Sequence, residues 1–293
     1  MSAPSAPLLS AQAIRIDVDG IPAIDGLSFE TTAKRVLVLG ASRALFEGAA
    51  GIRPISRGTL NIEGLAPHEA LKKGALAGAP LDPPLPKEWT PRVAITWAAK
   101  MSGQAPRIAS ASADAAIGTL HLESIADLPL GSAMLAGRRA VMVAAALATG
   151  ADALMIDSPL VDLDVESGGF LAGVIAKAIE AKKWVVFSGR LPLTCDLALA
   201  AEEAIVVFGS TVVFRGSPSE VAMFGGRTML RVAGDAEALH RLLGERGASV
   251  ETYSPELLTV HLPEGLTTLD LVRAAEDANV ALLEMHPLSR TFS

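Results

Sequence analysis

One cysteine, Cys195, stands among 293 residues, so an internal disulfide framework is excluded and the chain suits a reducing compartment. No run of five or more basic residues occurs and the formal net charge is −7, which leaves no general attraction for nucleic acid. Aromatic residues make up only 4%, so a core has to be assembled from Ala, Val, Leu and Ile. The longest apolar stretch, 140–156, is alanine-rich and broken by Gly150 and Asp152. It is too short and too interrupted to span a bilayer and reads as a buried helix followed by a buried strand. The opening MSAPSAPLLSAQ lacks a positive segment ahead of an apolar core, so no secretion signal is expected. His68, His121, His240, His261 and His286 contain no pair at ligand spacing, there is no Gly-x-Ser-x-Gly elbow, and Cys195 has no histidine near it in sequence. These absences argue against a zinc centre or an activated nucleophile.

Half the residues are apolar and only 19% are charged, which points to deeply buried parallel strands. Strands are expected at 13–18, 27–31, 35–40 and 58–64. A surface loop is expected at 79–91, where closely spaced prolines exclude helix and ladder pairing. Helical periodicity covers 93–101, 138–148 and 170–180; core strands cover 153–157 and 184–188, and a hairpin at 204–216 turns at Gly209 and Ser210. This alternation implies a parallel sheet covered on both faces. Beyond Gly225 and Gly226 the order becomes strand, helix, strand, strand, helix, strand, a ferredoxin-like α+β unit. The expected division is 1–224 and 227–293.

The segment ALMIDSP, residues 153–159, carries the chemistry. An aspartate closing a buried apolar strand is how P-loop enzymes hold a magnesium-bound water, and an acidic residue next to it polarises the attacking water. Here the next residue is Ser158, which offers no base at neutral pH. Loss of a general base costs about a hundred- to ten-thousandfold in rate.

In chain order, AIDGLSFE (23–30), RVLVLG (35–40), GIRPISRGTLNIEG (51–64), ALATGADALMIDSPLVDLD (146–164) and GSTVVFRGSPSEV (209–221) resemble the ATP-binding subunits of ABC transporters, over about residues 10–224. The tail, from GRTMLRVAGDAEALHRLL to ALLEMHPLSRTF, resembles the C-terminal extension of the ATPases of ABC-2 type exporters and gliding-motility-type subunits. The resemblance implies an α/β fold: a P-loop NTPase-like ABC ATPase domain with a helical subdomain at about 80–145, plus a small C-terminal ferredoxin-like α+β domain. It also implies ATP and Mg2+ as cofactors and a dimer that pairs with a permease, a second ATP-binding subunit, or both. The expected location is cytoplasmic, peripheral on the inner face of the cell membrane.

The chain departs from the family at most of its chemical positions. The phosphate loop GxxGxGK[ST] is replaced by Gly40, Ala41, Ser42 and Arg43 in a shortened segment, with no lysine between Lys34 and Lys72. Losing a lysine and two or three N–H donors removes about 5 kcal/mol of phosphate binding, on the order of a thousandfold in affinity. Arg43 remains either an anion contact or part of a plain strand-to-helix turn. Asp157 matches the magnesium-site aspartate, or is a relic that caps local backbone donors. Ser158 stands in place of the glutamate, and Arg190 in place of the histidine that faces the γ-phosphate, with a surface salt bridge as its plainer role. The LSGGQ signature reads with Ala136 in place of serine and with Gly137 retained; Arg138 and Arg139 follow as a helix-start charge pair or a solvated face. Leu81 falls where a glutamine is expected and Val18 where an aromatic would stack on adenine. Asp164 is either the subunit-interface aspartate or an N-cap. Together these imply a degenerate, non-hydrolysing subunit; the alternatives are a slow ATPase with an unconventional phosphate loop and a soluble regulatory module derived from an ABC ATPase.

Overall fold

Strands β1 (Leu9–Val18) and β2 (Ile21–Glu30) form an antiparallel hairpin about Asp19 and Gly20, both at positive φ, the backbone that a tight Asp-Gly turn requires. A computed structural model describes residues 6–40, 43–224, 226–263 and 265–287 of the chain. Contacts divide it into two units, one up to Pro218 and one from Ser219.

After the hairpin come β3 (Arg35–Leu39), α1 (Arg43–Ala49), β4 (Arg57–Ile62), α2 (Pro67–Lys72) and β5 (Leu76–Ala79). A helical stretch follows, α3 (Pro91–Met101), α4 (Pro106–Thr119) and α5 (Leu135–Ala148), then β6 (Ala153–Asp157), α6 (Val165–Ala178), β7 (Lys183–Ser188), α7 (Asp196–Leu199), β8 (Glu203–Phe208), β9 (Thr211–Gly216) and α8 (Pro218–Phe224). The main sheet runs β5-β6-β7-β3-β8-β9, parallel except for β9, and a second sheet runs β2-β1-β4. β3, β6, β7 and β8 are buried along almost their whole length, as continuous Val/Ile/Leu runs require when both sheet faces are covered.

Helix α1 lies in the core between the two sheets. Leu45, Phe46 and Ala49 share one buried cluster with Ile14, Ile16 and Leu27 on one side and Met155, Val185 and Phe187 on the other. The Phe46 and Phe187 rings meet edge-on with centroids 6.0 Å apart. On the other side Gly48 permits the close approach of α1 to β1, since a Cβ there would lie 2.8 Å from Ile16 Cδ1.

The expected strands and the hairpin are present, and helix α6 starts earlier than expected. Asp164 caps it, while Ser167, Gly168 and Gly169 weaken the helical signal of its first turns. The sequence reading passed over α4 because its buried face is Ala109, Ala113, Ala116 and Ile117, too weakly apolar to register as a stripe. It passed over β5 because LAGA is short and runs straight into the proline-rich loop.

The second unit contains β10 (Arg227–Ala233), α9 (Ala236–Glu245), β11 (Ser249–Ser254), β12 (Leu257–His261), α10 (Thr268–Asp277) and β13 (Ala281–Pro287). Its antiparallel sheet is ordered β11-β12-β10-β13, with a core of Leu230, Val232, Leu239, Leu258, Val260 and Leu271. Among the described residues no helix is long and apolar enough to cross a membrane.

Candidate functional site

Parallel pairing levels the carboxyl ends of four neighbouring strands: Leu39 lies opposite Ser188, Asp157 opposite Phe187, and Ala79 opposite Ile156. The crevice beyond such an edge is where open α/β sheets bind ligands. Two backbone bonds lace the edge, Gly40 N–H to Ser188 O at 2.9 Å and Ser158 N–H to Phe187 O at 2.7 Å. Gly40 has φ +70° and a Cβ there would fall 2.3 Å from Val207 O, so only glycine lets the chain leave β3 at this angle.

Ala41 and Ser42 lie outside the described residues. Arg43 opens α1, and its Nε donates to Glu47 Oε1 at 3.0 Å. The other Glu47 oxygen accepts from Arg53 Nε at 2.7 Å, and Arg53 Nη1 donates to Asp17 O at 3.3 Å. Both oxygens of a mostly buried glutamate on the first helix after Gly40 are thus already engaged by arginines. The sequence reading missed this network because Arg53 lies beyond the helix and its approach depends on the turn at Gly51.

Asp157 is 3% exposed, and its Oδ2 has no hydrogen-bond partner among the described residues. Burial pushes its carboxyl above the ordinary range; the Ser158 hydroxyl, the Leu81 N–H and Arg43 pull it back, and Glu47 pushes it further up. Ser158 follows in the left-handed region, φ +43°, a strained position for a residue with a Cβ. Leu81 therefore takes part through its backbone. Val18 is half-buried and packs on the core that surrounds α1.

Arg139 corrects the expectation of a solvated face: it is 5% exposed, and its Nε and Nη1 have no hydrogen-bond partner among the described residues. Its nearest ionic neighbour is Asp82, with Nη1 to Oδ1 at 4.0 Å. Burial pulls the guanidinium below its ordinary value; Asp82 opposes that fall, Arg138 adds to it, and Asp162 and Asp157 oppose it. Helical spacing could have found this residue, because Arg139 falls in line with Met142, Val143 and Ala146, all buried. Arg138 is half-buried and lines a cleft of about 490 Å³ with Leu81, Pro83, Lys87, Leu130 and Met142.

Ala136 and Gly137 occupy the first turn of α5, whose N-cap is the exposed Met134, without a side-chain capping bond. Gly137 has a packing role, since a Cβ would lie 2.9 Å from Ile125 Cδ1. Arg190 is exposed and, among the described residues, forms no ion pair, which corrects the expected salt bridge; its carbonyl accepts from the Ser188 hydroxyl beside the loop's start. Asp164 is the N-cap of α6, accepting from Ser167 N at 2.8 Å and from the Ser167 hydroxyl at 2.8 Å. Those bonds hold its carboxyl below the usual range. The edge therefore gathers Gly40, Asp157, Ser158 and the Leu81 backbone, while Asp164 makes its bonds elsewhere. Among the described residues no three His, Cys, Asp or Glu side chains cluster as a metal cage.

No family model matches the chain. It is 30% identical over 237 residues to the hemin import ATP-binding protein HmuV of Streptomyces coelicolor, covering 75% of this chain and 81% of that protein. Among solved structures it resembles an ATP-binding subunit of an ABC transporter, with a TM-score of 0.60 and 15% identity over 74% of this chain and 93% of that one. It resembles CbiO1 of Clostridium perfringens, part of the ABC transporter complex cbiONQ, with a TM-score of 0.60 and 17% identity over 74% and 91%. The chain belongs to the family of ABC transporter ATP-binding proteins, and its larger unit has the ABC ATPase fold.

Proposed function

We propose that the chain is a non-hydrolysing ATP-binding-type subunit of an ABC transporter that pairs with a competent ATPase, a membrane permease, or both, in export. The observation that carries this reading is Ser158. The residue beside Asp157 has a hydroxyl that takes no proton at neutral pH, and its N–H is spent on Phe187 O. The helix after Gly40 supports the same reading. A triphosphate needs cationic partners there, and the chain presents Glu47, whose own carboxylate already occupies Arg43 and Arg53.

The described residues do not fit a tightly held triphosphate with its Mg2+. Asp157 offers one hard oxygen suited to a cation, but the phosphate side is neutralised from within. ATP binding weaker than about ten micromolar is expected. In this reading the subunit works in a dimer, peripheral to the inner face of the membrane through its partners, with domains 1–224 and 227–293. The C-terminal α+β unit supports the ABC-2 branch and export; the relationship to a hemin import protein favours import as the competing direction.

Steady-state ATP turnover by the purified protein tests the proposal against an Asp157→Ala variant. Both are expected at background. Magnesium-dependent turnover that the variant abolishes establishes the second reading, a slow ATPase, which the unpartnered Asp157 oxygen favours.

A further inference from the structure

Helix α3 turns mostly small side chains inward and large ones outward. Ala94, Ile95 and Ala99 are buried, whereas Val93, Trp97 and Met101, spaced four apart along one face, are 46%, 50% and 67% exposed. Trp89, four residues before Val93, extends the row: its ring and that of Trp97 are tilted against each other with centroids 5.8 Å apart. Beyond the turn at Gly103, Ile108 in the first turn of α4 is 59% exposed. The row is held in place from behind. The Thr90 hydroxyl caps α3 by accepting from Val93 N–H at 3.3 Å. Arg92 Nε and Nη2 donate to the two oxygens of Asp127 at 2.8 and 3.2 Å, and Nη1 donates to Asp114. Single exposed apolar residues are ordinary, but a row of large ones on one helix face marks a surface that meets something apolar.

The charges around the row select the occupant. Among residues 87–113 stand Lys87, Arg92, Lys100 and Arg107 against one acid, Glu88, in a chain whose acids outnumber its bases. Arg92 is engaged by Asp114 and Asp127, while Lys87, Lys100 and Arg107 form no ion pair among the described residues. Lys100, three residues after Trp97, shares its face. An anionic bilayer matches both halves of this surface. Apolar side chains and indoles settle at the boundary of headgroups and acyl chains, and long cationic side chains reach back to the phosphates. Protein partners anchor in concave pockets, whereas these side chains stand out from a helix flank, a shape that a bilayer accepts.

We propose that α3 and the start of α4 form a lipid-contact face, with Trp89, Val93, Trp97, Met101 and Ile108 entering the boundary region of an anionic bilayer and Lys87, Lys100 and Arg107 binding headgroup phosphates. This gives the chain a membrane contact of its own, beyond attachment through partners, and it does not depend on whether ATP is hydrolysed.

Flotation of the full chain with vesicles of phosphatidylcholine containing about 30% phosphatidylglycerol, and with phosphatidylcholine alone, tests it. Binding is expected on the anionic vesicles and about tenfold weaker or more on the neutral ones. Trp97→Gln with Met101→Gln is expected to weaken binding about tenfold, and Lys100→Gln with Arg107→Gln about as much at low salt and far less at high salt. All four positions are exposed, so unfolding midpoints are expected within about 2 °C of wild type. Acyl-brominated phosphatidylglycerol is expected to quench the part of the tryptophan emission that comes from Trp89 and Trp97, and to spare the fully buried Trp184. Equal binding by wild type and the Trp97→Gln, Met101→Gln variant overturns the proposal, as does indifference to vesicle charge or an absence of quenching. Binding to native membrane vesicles that proteolysis of the vesicle surface abolishes, with none to lipid alone, overturns it in favour of a protein partner.

Discussion

Two sides of one crevice treat charge in opposite ways. On the α1 side every charge is closed into a network: Arg43, Glu47 and Arg53 are linked to one another, and Arg53 is tied to the Asp17 carbonyl. On the β6 side the charges are buried deeper and, among the described residues, left incomplete, with atoms on both Asp157 and Arg139 that have no hydrogen-bond partner. In the first arrangement Arg43 and Arg53 are already engaged by the Glu47 carboxylate. The second leaves a buried carboxylate and a buried guanidinium each with polar atoms that no described residue satisfies. The same strand-end crevice thus combines a closed network with buried groups left short of partners among the described residues.

Gly40 sets the geometry of the first side, and changing it should have the largest effect. Gly40→Ala combines a left-handed backbone with a Cβ 2.3 Å from the Val207 carbonyl, and backbone cannot give way as a side chain tip would. A loss of about 3 kcal/mol is expected, seen as a midpoint about 6–12 °C lower in thermal unfolding. A silent substitution would mean that the exit from β3 is not fixed, and the contrast between the two sides would lose its structural basis.

Glu47→Gln breaks the closed network directly. Arg53 is then left half-buried beside a neutral amide, at a cost of about 1–2 kcal/mol, the smaller end applying because Arg43 is more than half exposed. The loss should shrink in high salt, which screens the exposed part of the network. Thermal unfolding at low and high salt measures both. No loss at either salt would show that the α1 side is as incomplete as the β6 side.

How much of this could be read from the sequence depended on whether the signal was local. The central strands could be read because VLVL, ALMID and WVVF are continuous β-branched and aliphatic runs that only a doubly covered sheet buries. The place of Asp157 at the end of a buried strand could also be read, since strand end and residue type coincide. Arg139 was read as solvated because arginine adjacent to arginine at a helix start suggests a surface, whereas it is buried, with Asp82 of the loop after β5, distant in sequence, as its ionic neighbour. The Glu47–Arg53 pair was hidden for the same reason, as a contact created by a turn. Arg190 shows the reverse error, where residue type suggested an ion pair that the local geometry does not make.

Asp164 sharpens the comparison because it lies a few residues beyond Asp157 and titrates in the opposite direction. Burial raises the Asp157 carboxyl, whereas hydrogen bonds from the Ser167 N–H and hydroxyl lower that of the exposed Asp164. A group depressed in the folded state contributes stability above its unfolded value, and that contribution is lost as pH falls through the folded value. With an ordinary value of 3.8, the Asp164 contribution is complete near neutrality and fades below that point. Asp164→Ala should therefore lower the neutral-pH midpoint by about 1–3 °C, the smallest of these effects, through loss of the N-cap. The difference from wild type should close as the solution is acidified below 3.8. Unfolding midpoints of the two proteins across that range test the sign. A difference that widened on acidification would mean that the Asp164 carboxyl is raised like its neighbour, and that the whole loop after β6 belongs to the incomplete side of the crevice.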